Sequence, residues 1–382
     1  NALEANTTGS LNTAVGASAL TTNTTGTNNV AVGFAALQLA TTANNNVAIG
    51  YAALNANTTG AENIAIGKGA LDANTTADSN VAIGNNALGV NTTGTFNVAV
   101  GAASLDANTT GTYNSALGYD SLTGNTTGAE NTAAGFQALK ANTTASANTA
   151  FGYLALTANT TGANNTAVGR QALTANTTGD RNVAIGRTAL NANTVGDRNV
   201  AVGMSSLANM NPSSNADTYN TAVGYNSGNS ITTGTVNTLI GGLSGEAMTT
   251  GSKNLLLGGY TGNQNSLDLR TSSNNIVLSD GDGNIRIFVN NEGNTILGTV
   301  TSNPVNIADH RLVVELNSSN SGIAVGADGL TDSRVCMSFY NDNGTVGSIT
   351  TNASSTAYNT SSDYRLKENV DYTWDATTRL KQ

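Results

Sequence analysis

The sequence predicts an all-β chain wound into a parallel solenoid of 17-residue coils. Three observations predict it: a glycine that returns every 17 residues, a short alternating stretch before that glycine, and the absence of any helical pattern. The glycine falls at Gly16, Gly33, Gly50, Gly67, Gly84, Gly101, Gly118, Gly135, Gly152, Gly169, Gly186 and Gly203. A longer step of 21, carrying Pro212 in "ANMNPSSNADTYN", leads to Gly224, and Gly241 and Gly258 resume the register. Self-similarity at a fixed period is the mark of a repeat architecture. At roughly 4.8 Å per parallel coil, the fifteen coils span about 70 Å.

Each coil reads N-V-A-I-G-x-x-A-L-x-x-N-T-T-G-x-x. The N-V-A-I-G stretch alternates and is rich in β-branched residues, so it is a short strand. The slot before the glycine is apolar throughout (Val15, Val32, Ile49, Ile66, Ile83, Val100, Leu117), with Ala134 as its one small occupant. The Leu four residues after the glycine is unchanged from Leu20 to Leu207. These two slots are expected to fill the inside of the coil. The Ala two residues before the glycine, constant from Ala14 to Ala222, lies on the opposite face by the period of two. It reads as the close approach of a second or third chain, the alternative being the bare demands of a thin coil.

The Asn four residues before the glycine recurs from Asn12 to Asn254. Stacked at one position, such side chains form an amide ladder, which pairs polar groups that a narrow core has to satisfy. The N-T-T-G segment is the return turn, with its glycine free to take a positive φ. Ala43, Ala77 and Ala145 in that slot mean that such a backbone is not obligatory in every coil. So thin a coil buries little by itself and depends on stacking and lateral association.

Composition narrows the function. With 43 glycines and 10% charged residues the chain resembles a disordered one, but apolar residues at fixed intervals argue for order. A net charge of −9 without a basic run is poorly suited to nucleic acid. No stretch approaches the ~20 apolar residues of a membrane helix. One histidine, His310, and one cysteine, Cys336, leave no His/Cys metal cluster and no intrachain disulfide framework, and no cofactor motif is present. Asp72 and Asp106 share a slot two coils apart, and Glu62 and Glu130 another four coils apart. Such scattering does not resemble the paired carboxylates of a glycosidase. The adjacent threonines of N-T-T do not imply a flat ice-binding array. The Asn-Thr-Thr sequons are glycan acceptors only in a eukaryotic secretory route.

After Gly258 the grammar changes. "NNIVLSDGDGNIRIFVNNEGNTILGT", residues 274 to 299, predicts antiparallel hairpins turning at 280–283 and 292–293. Asp280, Asp282 and Asn284 imitate the start of a calcium loop. Ile285 at the sixth position and the missing closing Glu make it a simple turn. "HRLVVELNSS", "RVCMSFYNDNGTVGSITT" and "STAYNT" predict further short strands. The expected organisation is a repeat region over 1–260 with an irregular insertion near 208–219, an antiparallel region over 261–362, and a last segment over 363–382.

Two parts of the chain resemble known families. The coil N-x-A-x-G-x-x-A/S-L resembles the head repeat of YadA-like trimeric adhesins, which implies a left-handed parallel β-roll in a homotrimer. The repeat here is longer than that family's, extended by N-T-T-G. The stretch from 310 to 360 resembles the part of phage tail fibres that leads into a C-terminal chaperone. "SSDYRLKENV", residues 361 to 370, resembles the start of the self-cleaving intramolecular chaperone of the endosialidase type. That resemblance implies Ser362 as nucleophile, Lys367 as its activating base, and a cut between Ser362 and Asp363. Only 20 residues follow that bond, too few for the family's chaperone, so a single-turnover cleavage is expected of a full-length precursor and no turnover enzyme is expected. Leu3 occupies the slot of Leu20, so an attachment region is expected upstream of Asn1. The expected function is structural and host-recognising: the distal part of a phage tail fibre in the virion tail, extracellular, binding a host cell-surface glycan or protein. The alternative is a bacterial trimeric autotransporter-type surface adhesin, which needs a stalk and a C-terminal membrane anchor.

Overall fold

The computed structural model describes residues 1–297 together with the strands Leu312–Val314, Arg334–Asn341, Gly344–Thr351 and Thr356–Thr360. The chain divides into two compact units, Asn1–Glu315 and Leu316–Gln382. Among the described residues all regular structure is β, and no helix is long and apolar enough to cross a membrane.

In the first unit, sixteen strands stack in parallel, from Thr13–Val15 to Ile276–Ser279. Pairing has no stagger: Thr13 lies opposite Val30, Ala14 opposite Ala31 and Val15 opposite Val32. The solenoid of 17-residue coils is therefore as the glycine spacing predicts. The 21-residue step is absorbed by a small excursion in which Gly196–Asp197 pairs with Ala216–Asp217. The last parallel strand turns into antiparallel hairpins, Ile276–Ser279 with Ile285–Val289 and the latter with Thr295–Leu297. Thr295–Leu297 then pairs in parallel with Leu312–Val314. In the second unit Arg334–Asn341, Gly344–Thr351 and Thr356–Thr360 form an antiparallel sheet. These strands fall where the alternating runs place them.

The sidedness of the strand is the reverse of the expectation. Ala31, Ala48, Ala65, Ala82 and their equivalents are fully buried, whereas Ile66, Ile83 and Ile185 are 36%, 37% and 40% exposed. Interior and exterior alternate as the period of two requires, but Ala points inward. The leucine column, Leu20 to Leu207, is fully buried as expected. The reason is width. With a Leu reaching in from the far side, the opposite slot has room only for a methyl group. Volume exchange at the end of the solenoid shows this directly. Where the Leu slot becomes Gly228 and Gly245, the Ala slot becomes Leu239. A Cβ on Gly228 would lie 2.8 Å from Leu239 Cδ1, and one on Gly245 3.0 Å from the same atom. The constant Ala is thus an interior residue and no longer an argument for a second chain.

The predicted Asn ladder is present. The Asn29 backbone N–H donates to Asn12 Oδ1 at 2.9 Å, while Asn29 Nδ2 donates to the same oxygen and to the Ala43 carbonyl. The pattern repeats through Asn275. A second ladder was not foreseen. The Asn of N-T-T is also buried, and Asn74 Nδ2 donates to Asn57 Oδ1 at 2.9 Å and to the Ala77 carbonyl at 3.0 Å. Buried in this way, these asparagines do not offer glycan acceptors. The ladder is broken at Ala40, and the Asn23 Oδ1 that a side-chain amide there would meet is a buried acceptor without a partner. Ala40→Asn should restore that hydrogen bond and raise stability by about 1 kcal/mol. Slower amide exchange across residues 20–60 would register the gain; unchanged exchange would mean the slot does not admit the amide.

Backbone conformation also departs from the reading of the turn. The N-T-T-G glycines, such as Gly26 and Gly111, are not in the left-handed region; the register glycines are, at φ of 128° to 141° from Gly16 to Gly241. Three further positions per coil lie in the αL region and, apart from coils with Gly69, Gly228 or Gly245, hold non-glycine residues, among them Asn28 (59°), Ala35 (56°) and Leu37 (49°). Such residues cost roughly 1–2 kcal/mol each. Each of these is tied to a neighbouring coil by its N–H: Ala35 to the Ala17 carbonyl, Leu37 to that of Ala53, and Asn28 to that of Ser10.

Candidate functional site

Turning Ala inward sends both its neighbours outward. The outer face of the parallel sheet carries two apolar columns. One includes Val47, Ile64, Val81, Val98 and Val183 but gives way to Ser115, Thr132, Thr149, Thr166, Thr221 and Thr238 in other coils; the other, more continuous, includes Ile49, Ile66, Ile83, Leu117, Phe151, Val168 and Ile185. Strand alternation puts both on one surface. Single exposed apolar residues are ordinary, but a contiguous stripe along an entire solenoid marks an interaction surface.

Aromatic and cationic side chains occupy the next columns. Just after the register glycine, Phe34 stacks on Tyr51 with ring centroids 5.5 Å apart. Further along, Tyr119, Phe136 and Tyr153 stack in series at 5.6 and 5.3 Å, and the Arg170 guanidinium lies 5.7 Å over Tyr153. Before the ladder Asn, Phe96 stacks on Tyr113 at 5.2 Å, and Arg198 lies over Tyr219 while pairing with Asp217. Offset stacks of this spacing add to burial. The ring partners are all one repeat apart, or one lengthened repeat in the case of Arg198 and Tyr219. Aligning the coils on the glycine would have displayed them.

The threonine pair divides its roles. The first hydroxyl of N-T-T donates to the next coil, as Thr24 Oγ1 does to the Thr41 carbonyl at 3.0 Å; the second Thr is exposed.

No group of three or more His, Cys, Asp or Glu side chains among the described residues is placed to hold a metal. Asp72 and Asp106 are half-buried, and burial pushes both carboxyls up. The Gly89 backbone partly relieves Asp106, and the charge of Asp120 raises it further. Asp120 in turn meets Lys140 Nζ at 3.2 Å. The 280–284 segment is a turn. Asp280 accepts from the side-chain and backbone nitrogens of Asn284 at 3.1 and 2.9 Å and from Arg286 at 2.6 Å. These bonds hold its carboxyl down at about 2. Ser362, Asp363 and Lys367 lie outside the described residues.

Comparison with known proteins gives no match among family models, curated proteins or solved structures.

Proposed function

We propose that this chain is the distal, host-recognising part of a phage tail fibre, in which three copies associate through the outward apolar face of the parallel sheet. The observation that carries the association is the column of outward-facing Val, Ile and Leu, interrupted only at Ala134 and Phe151, that runs along one face from Val15 to Leu278. Covering that face removes apolar surface from water, the main favourable term in association. The coil grammar N-x-A-x-G-x-x-A/S-L, similar to that of trimeric adhesins, supports the stoichiometry. The exposed turns and aromatic columns remain for a host cell-surface glycan or protein.

The same grammar fits a bacterial surface adhesin. The segment "SSDYRLKENV" favours the fibre, because an intramolecular chaperone is removed by self-cleavage whereas an adhesin keeps its C-terminal anchor. The test is a precursor carrying its downstream sequence. One cut between Ser362 and Asp363 is expected: a Ser362 hydroxyl, its own or a neighbouring copy's, attacks the carbonyl carbon of that bond, Lys367 takes the hydroxyl proton and passes it to the leaving Asp363 amine, and water then hydrolyses the resulting ester. Ser362→Ala and Lys367→Ala should each leave an uncut, assembled chain on gels. A parent precursor that stays whole, or one cut equally well after Ser362→Ala, would remove the support for the fibre over the adhesin.

A further inference from the structure

The outward column has a single gap. From Val15 to Leu278 the slot before the register position holds Val, Ile or Leu, except for Ala134 and Phe151, which are adjacent in the stack. Ala134 lines an open notch of about 370 Å³ together with Val98, Val100, Ser115, Leu117, Thr132 and Phe151. Leu117 and Phe151 stand on either side of it, 57% and 48% exposed. The only small residue of the column and its only aromatic one thus form a hole and a knob one coil apart.

We infer that the notch over Ala134 receives the Phe151 ring of a neighbouring copy and so fixes the register in which the copies associate. The inference rests on the association proposed above. A face that repeats every 17 residues is nearly unchanged when a partner slides by one coil, roughly 4.8 Å. Such a slide forfeits the contacts of about one coil in sixteen, so the Val/Ile columns bring copies together without aligning them. A repetitive pairing surface is prone to slip unless something irregular pins it. In a parallel, in-register assembly the Phe151 rings arrive at one level, where a flat apolar face leaves no room for them. The space one coil away, over Ala134, is the room they need. Any other register sets Phe151 against Val or Ile and leaves a notch empty. The occupant is a second copy because the knob and the hole lie on the same repetitive face, so the surface that associates carries both halves of the key.

The test uses the full chain with Cys336→Ser and a spin label at Thr144→Cys, on the exposed turn away from this face. The parent should give one narrow inter-label distance. Ala134→Ile restores the ordinary residue of the column and points outward, so the circular dichroism of the coil should not change. It should weaken association about tenfold, in keeping with overpacking of a close contact. It should also broaden the label distances toward whole-coil offsets. The exchanged pair Ala134→Phe with Phe151→Ala keeps a knob beside a hole and should recover both affinity and the narrow distance. Ala134→Ile with unchanged affinity and a single distance would overturn the inference and leave the association standing. Binding of anilinonaphthalene sulfonate by the associated parent, abolished in Ala134→Ile, would show the notch open to a small ligand and also overturn it. A parent that stays monomeric would instead overturn the association itself.

Discussion

Leu173→Asp should open the solenoid around its own coil. Leu173 is fully buried, stacked between Leu156 and Leu190, with Ala167, Ala172 and Ala184 as equally buried neighbours. A carboxylate placed there has no cation to meet, and leaving it unpaired costs several kcal/mol unless the coil admits water. The backbone is not the cause: Leu173 sits at φ 50°, a region that Asp tolerates better than most residues. Loss of the Leu packing adds a further 2–5 kcal/mol. Because each coil touches only its neighbours, damage should spread over adjacent coils and spare the distant ones. Limited proteolysis mapped by mass spectrometry should show new cuts clustered near residues 156–190. Unchanged protease resistance would mean that Leu173 is not interior.

Gly118→Ala should be nearly as damaging for a different reason. Its φ of 134° lies in a region that side chains rarely enter, a strain of order 1–3 kcal/mol. A Cβ would also stand 2.6 Å from the Gly135 carbonyl oxygen of the next coil, so the two coils would have to part. Gly128→Ala is the control. Gly128 lies in the N-T-T-G slot, without a left-handed φ; a Cβ there would stand 2.3 Å from the Ala145 carbonyl oxygen, but Ala43, Ala77 and Ala145 show that coils adjust to that contact, so the pair isolates the backbone conformation. Thermal unfolding should show a much larger fall in Tm for Gly118→Ala than for Gly128→Ala. Equal falls would show that coil contact, and not backbone conformation, governs both slots.

The repeat, the strands, the buried leucines and the first Asn ladder were legible because each is a statement about period. The 17-residue glycine spacing fixes which residues stack, and alternation fixes which share a face. Neither fixes which face is inside. Hydrophobicity ranks Ile above Ala, so Ile83 was expected in the core and Ala82 at a chain interface; the narrow interior opposite Leu88 reverses that order. Sequence alone contained the corrective signal, in the exchange of Leu and Gly for Ala and Leu at Leu239 and Gly228. The second ladder was hidden by the assumption that N-T-T-G is an exposed turn. The αL backbone at residues such as Leu37 carries no residue-type signature at all, since bulky side chains are normally excluded from it. The catalytic reading at Ser362 and Lys367 rests on a sequence resemblance alone.

In the proposed assembly the outward Val and Ile side chains are covered by other copies of the chain. Sedimentation equilibrium of the full chain measures it most directly. A species of three times the 38.4 kDa chain mass is expected. Ile83→Glu combined with Ile185→Glu should reduce this to a single chain while the circular dichroism of the solenoid is kept. A folded parent that sediments as one chain at micromolar concentration, with both columns open to water, would contradict it.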